Sequence, residues 1–220
     1  MAKSSAARKL NDEPVVAEVK RPSFGGGGPP PPVRPITPIG SNAWLGTIML
    51  LGAEAMFFAG LIGAFLVFRF GSTVWPPPFQ PRLPVGVTGI NTLVLLASAV
   101  TMRWALQANR MSDRRRLLRM LSCTAALGAI FLIVQGYEWV RLIHFGLTVS
   151  SSVYGGLFYT LIGFHGAHVF GALIWLVAVW FKARQGSYTK RNEAGLQTCS
   201  MYWIFVVALW PILYGLVYLY

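Results

Sequence analysis

Five apolar segments dominate the chain: Ala43 to Phe68, Gly86 to Ala108, Leu117 to Ile143, Val153 to Phe181 and Gln197 to Leu219. Each is near or above the roughly 20 residues needed to cross a ~30 Å hydrocarbon core. None shows strand-like alternation, and in lipid a spanning segment must satisfy its own backbone hydrogen bonds, so all five are expected to be helices. The sequence therefore predicts an all-α integral membrane protein with a five-helix transmembrane bundle over residues 43–220. Residues 1–42 differ in kind: polar at first, then rich in glycine and proline (GGGGPPPPVRPITP), a composition that cannot bury enough apolar surface to fold alone and favours extended chain. The opening MAKSSAARKL is basic but leads into NDEPVVAEVK, with no apolar stretch of the signal-peptide type, so no cleavable leader is expected.

Charge sets the expected orientation. Composition is 55% hydrophobic and only 12% charged, yet the formal net charge is +12. Nucleic-acid binding would need those cations on one face or stripe, whereas here they form short clusters between apolar runs. Of the 19 lysines and arginines, all but Arg69, Arg82 and Arg141 flank one side of a five-helix path. By the bias of basic residues toward the cytoplasmic side, the N-terminus is expected inside and the C-terminus outside. The outer connection STVWPPPFQPRLP is stiffened by prolines and is expected to form a cover, with Trp75, Pro76 and Pro77 at its start.

Two acids fall within the spans, Glu54 and Glu138, together with His165 and His168 in the run GFHGAHVFG. An acid near mid-helix costs roughly +2.5 to +3.5 kcal/mol on insertion scales, against roughly −0.3 to −0.6 kcal/mol for each Leu, Ile, Val or Phe, so the first helix still inserts. At ~1.5 Å per residue from the inner ends, Glu54 lies at ~16 Å, His168 at ~20 Å, His165 at ~24 Å and Glu138 at ~31 Å. Three readings follow. The imidazoles and Glu138 could ligate a metal or haem, although HxxH is a common pattern and four groups spread over ~15 Å do not converge on one ion. Glu54 could carry protons, although no series of polar residues leads from it to both surfaces. Or the four groups bond across helices and to lipid, which offsets their desolvation without chemistry.

Small residues mark expected close packing: Gly60 and Gly63 in the first helix, and Gly163, Gly166 and Gly171 around the histidines, which places the HGAH helix inside the bundle. Cys123 and Cys199 lie in apolar segments and are expected to be buried thiols with no disulfide framework.

The stretch VYGGLFYTLIGFHGAHVFG (Val153 to Gly171) resembles the signature helix of subunit III of haem–copper oxidases, the cytochrome c and quinol oxidases. Supporting matches run in order: LGAEAMFFAG around Glu54, WPP at Trp75 to Pro77, INTLVLLASAVTM from Ile90, LIVQGYEW around Gln135 and Glu138, and MYWIFVVALW near the end. The resemblance, to the five-helix form of the family, implies a chain with no catalytic residues and no metal or other cofactor of its own. It implies haem and copper on partner subunits, direct packing on subunit I, and further association with subunit II, small subunits and a larger respiratory assembly. It also implies bound phospholipid in a cleft near Glu54, Glu138, His165 and His168, support of proton uptake, and residence in a bacterial cytoplasmic membrane. Nucleic acid is not an expected partner. The family's last helix commonly reads YWHFVD; here Ile204 and Val207 replace the histidine and aspartate, and Gln197 stands where glutamate is usual. These departures allow a divergent branch, such as the subunit III-like protein of nitric oxide reductases, or a quinol oxidase. A free-standing membrane metalloenzyme or transporter using Glu138, His165 and His168 is the competing class.

Overall fold

Three residues, Met111 to Asp113, suffice to turn the chain between its second and third helices. Ser112 takes a left-handed φ of 60°, and the Asp113 carboxylate accepts from the Arg116 backbone N–H at 2.9 Å, capping the next helix. The computed structural model describes residues 42–75, 84–186, 188 and 193–219. Its helices are α1 (Asn42–Gly71), α2 (Val85–Arg110), α3 (Arg114–His144), α4 (Val153–Arg184) and α5 (Ala194–Tyr214), with a π-helical turn over Gly215–Leu219. All five are long and apolar enough to cross a bilayer. The helices overrun the apolar segments by a few residues at their polar ends, because capping and not hydropathy decides where the backbone stops turning.

Local chemistry explains the other ends. After α3, Gly146 adopts φ 89° and the Leu147 N–H returns to the Leu142 carbonyl at 3.0 Å, a left-handed C-terminal cap that glycine takes without strain. Ser152 then caps α4 by accepting from Gly155 N–H at 3.1 Å. In α5, Pro211 lies inside the helix and removes one backbone donor, and the widened turn begins at Gly215, one turn further on.

The helices run up and down. Arg114 at the start of α3 donates to the Arg184 carbonyl at the end of α4, which gathers Arg110, Arg114, Lys182 and Arg184 at one basic end. At the other end Trp75 meets Tyr154 edge-on at 5.1 Å, and the Tyr214 hydroxyl donates to the Val85 carbonyl at 2.9 Å. The most extensive pairing is α2 with α3; α5 packs on α2, α4 and α1, and α4 on α3 and α1. Between them lie Trp203, Trp210, Phe58, Phe65, Phe131 and Phe158, all nearly inaccessible. Polar bonds tie the layers: Trp203 Nε1 to Ser98 Oγ at 3.1 Å, Trp210 Nε1 to Thr92 Oγ1 at 2.9 Å, and Thr101 to Thr124 at 2.8 Å. The outer faces are apolar, as at Met56, Val67 and Ile133, which are 80%, 71% and 71% exposed and suit contact with lipid or another chain.

Several expectations meet a different geometry. A Cβ at Gly60, Gly63, Gly163 or Gly171 would find no atom within 4 Å among the described residues, so the close approaches expected there are not made among them. Gly166 does carry one: a Cβ would stand 3.1 Å from Trp139 Cη2. The tightest approach to a side chain is at Gly128, which the sequence did not single out, where a Cβ would come 2.5 Å from Trp203 Cη2. Cys199 is buried, but Cys123 is exposed on α3, on a face that no described helix covers. The HGAH helix is likewise only half enclosed: His165 and Gly166 are buried, whereas Phe164 and Phe170 face outward. Residues 1–41, Pro76 and Pro77 lie outside the described residues.

Candidate functional site

Helix α1 carries Glu54, α4 carries His165 and His168, and α3 carries Glu138. Spacing of three places the two histidines on neighbouring positions of one helix surface, but their rings diverge. His168 turns toward α1, where its Nε2 lies 2.9 Å from Glu54 Oε2. Its Nδ1 lies 2.6 Å from the carbonyl of Phe164, one turn back on its own helix. A carbonyl only accepts, so Nδ1 carries a hydrogen. The contact between Nε2 and Oε2 is then a hydrogen bond only if a second proton lies between them, borne by the imidazolium or by the carboxylic acid. Either way the pair is neutral overall, which is what an acid within an apolar span requires.

Aromatic rings frame the pair. Phe58 stands edge-on to His168 at 5.1 Å, and Phe57 packs against both His168 at 6.1 Å and Phe164 at 5.2 Å. Tyr202 on α5 lies within electrostatic reach of Glu54. The side chains of His168 and Glu54 remain 20% and 18% accessible. The pair is thus partly open to the surface beside Phe57 of α1 and Phe164 of α4, both exposed.

His165 turns the opposite way. It is fully buried, stacked on Trp210 at 4.9 Å, with Phe58 and Phe131 edge-on at 6.4 Å each. Glu138, also buried, accepts from Thr88 Oγ1 at 2.8 Å, joining α3 to α2. Beside it Gln135 Nε2 donates to the Tyr218 hydroxyl at 3.3 Å, which brings the π turn into the same polar region. Sequence reasoning named neither Thr88 nor Tyr218; the only signal was their place in apolar runs as groups able to hydrogen-bond. Among the described residues no three His, Cys, Asp or Glu side chains come together in a set that could hold a metal ion. Glu54 with His168, and Glu138 with Thr88, are two separate contacts.

Trp75 reaches across the end of α1 to Phe65 at 5.7 Å and Tyr154 at 5.1 Å, with the Arg69 guanidinium 5.8 Å from its ring. At the basic end Gln197 donates to Glu193 Oε1 at 2.6 Å. There too the Tyr188 hydroxyl is pushed above its ordinary range, chiefly by burial. Val207, at the position where the resembling family has aspartate, is 2% exposed and belongs to the apolar core, and Ile204 lies beside it, half-buried.

Five apolar helices with carboxylate and imidazole contacts held between them define a multi-pass helical membrane protein. Residues 37–220 match the family model described as cytochrome c oxidase subunit III. Relatives include cytochrome c oxidase subunit 3 of Synechocystis, 35% identical over 79% of this chain and 74% of that protein. The probable cytochrome c oxidase subunit 3 of Nocardia farcinica is 38% identical over 79% of this chain and 86% of that protein, and the Bacillus subtilis subunit 3 is 33% identical over 84% and 89%. The chain belongs to the cytochrome c oxidase subunit III family. The enzyme to which such a subunit contributes is a complex of several chains, so other oxidase subunits are its partners.

Proposed function

We propose that this chain is a non-catalytic, structural subunit of an aerobic terminal oxidase of the cytochrome c oxidase type, whose complex reduces oxygen to water and pumps protons. It lies in a bacterial cytoplasmic membrane, N-terminus inside and C-terminus outside, as the gathering of arginines and lysines at one end supports. Haem and copper reside on the partner chains, and subunit I is the direct neighbour. The open glycine faces of α1 and α4 suit a second helix-bearing chain, because small residues let backbones approach. The exposed apolar surface around Phe57 and Phe164 suits phospholipid acyl chains.

The observation that carries this reading is the bond between Glu54 and His168. It closes on itself within the chain, neutral and framed by phenylalanine, and needs neither substrate nor metal to satisfy it. A pair so placed fastens α1 to α4 and keeps a proton-bearing group partly exposed, where it can sustain proton uptake by a neighbouring subunit. The test is extraction in mild detergent and identification of the partner chains. Recovery with oxidase subunits I and II is the expected result; recovery alone, or with nitric oxide reductase chains, contradicts it.

A further inference from the structure

Nine buried side-chain nitrogen and oxygen atoms among the described residues have no hydrogen-bond partner, and five of them belong to just four residues. They are Asn91 Oδ1, Gln135 Oε1, Glu138 Oε1 and both ring nitrogens of His165. None of the four residues is more than 3% exposed. Buried polar groups in native proteins are nearly always paired, so a concentration of this kind calls for a bound species.

The four residues occupy one region. Thr88 and Asn91, one turn apart on α2, face Glu138 and Gln135, one turn apart on the antiparallel α3. Thr88 bonds Glu138, and Asn91 Nδ2 donates to the Phe131 carbonyl at 3.1 Å, one turn before Gln135. Trp210 links His165 to this group: it stacks on the imidazole at 4.9 Å, meets Phe131 edge-on at 5.0 Å, and lies 6.5 Å from Tyr218, the partner of Gln135.

The chemistry of the unpaired atoms narrows the species. The Asn91 and Gln135 amides, the Trp210 indole and the Thr92 hydroxyl already donate, to the Phe131 carbonyl, Tyr218, Thr92 and the Thr88 carbonyl respectively. Each amide keeps a second N–H and Tyr218 its hydroxyl hydrogen, so the atoms with no partner at all are three oxygens and the two nitrogens of one imidazole, which in its neutral form donates once and accepts once. An anion would meet the Glu138 carboxylate, and an apolar molecule would satisfy none of these atoms. Water, with two donors and the ability to accept from the imidazole N–H, matches the set.

We infer that the interior between α2, α3, α4 and the π turn holds a small cluster of buried water bridging His165 to Asn91, Gln135 and Glu138. Phe58, 1% exposed, stands edge-on to both His165 and His168 and separates this cluster from the Glu54–His168 pair. The cluster is an internal fastener of three helices and a terminal turn, distinct from that pair.

Electron cryomicroscopy of the full chain, in the assembly that mild detergent recovers, tests this at a resolution showing ordered water. The expected map has density within hydrogen-bonding distance of a His165 ring nitrogen and of at least one of the three oxygens. Direct contacts with no intervening density, for instance a reversed Gln135 amide donating to Glu138, overturn the inference. In Asn91→Leu the peak nearest position 91 is expected to vanish while the Thr88–Glu138 and Trp210–Thr92 bonds persist. A peak unmoved by that substitution removes Asn91 from the site and refutes the bridge as described; if the variant does not fold, the wild-type map alone decides.

Discussion

His168 Nε2 and Glu54 Oε2 meet at 2.9 Å while the other nitrogen of the same ring is held by the Phe164 carbonyl. The imidazole is therefore fixed from both sides, and α1 is joined to α4 by a proton-bearing bond at a position where the surrounding side chains are aromatic.

Glu54→Gln keeps the shape of this contact and removes the acid. Assembly is expected to persist, since a neutral amide can still donate to Nε2 once that nitrogen is unprotonated, with a loss of about 1.5–3 kcal/mol for a hydrogen bond to a charged group. Activity during sustained turnover is expected to decay faster than in the wild-type complex. An unchanged lifetime at full subunit occupancy would show that the carboxyl has no functional part.

Removing only the histidine should be worse. In His168→Leu the acid loses its partner inside the apolar span, and uncompensated buried charge costs about 3–5 kcal/mol. The double variant Glu54→Leu with His168→Leu is expected to recover most of that loss. Thermal unfolding of the wild type, Glu54→Leu, His168→Leu and the double variant closes a cycle; additive effects would deny that the two groups are coupled.

Gly128 and Gly60 make a contrasting pair. Gly128→Ala drives a methyl group against Trp203, whose nearest carbon would be 2.5 Å away, and overpacking of this kind costs about 1–3 kcal/mol. Gly60→Ala meets nothing among the described residues, so its own stability should be unchanged and any defect should appear as poorer association with a partner subunit. Detergent-resistant incorporation together with melting temperature separates the two. Gly166→Leu, against Trp139, should behave like Gly128→Ala and lower incorporation.

Thr88→Val leaves Glu138 Oε2 without its donor and is expected to cost about 1–3 kcal/mol. Metal content offers an independent check on the whole reading: the isolated chain should contain no stoichiometric iron, copper or zinc and show no visible absorbance. Bound metal would revive the metalloenzyme alternative.

The spans were legible because each is a long uninterrupted apolar run, and the helices run past them by a few residues, at α3 because Asp113 caps a helix that begins three residues before Leu117. Which groups would pair was not legible. Depth along each helix let Glu54 reach either histidine, and the choice depends on the face that α1 turns to α4, set by Phe58 and Phe65 packing. The glycines misled for a related reason. Small residues at regular spacing mark a surface able to pack closely but do not say whether the neighbour belongs to the same chain. Gly128, with no companion glycine, gave no pattern, since its partner Trp203 comes from a helix distant in sequence. The buried set around His165 was visible only in part, as Glu138 and His165, because Asn91, Gln135 and Tyr218 acquire meaning through the way α2, α3 and the π turn face one another.

The packing of α1, chiefly on α4 and α5, bears on how the chain is made. It leaves the ribosome first among the helices, yet its neighbours are the last two. At ordinary translation speeds, roughly ten seconds pass between synthesis of Glu54 and of His168. For that interval the acid is without its base, and the bond that ties α1 into the bundle closes only once α4 has been made.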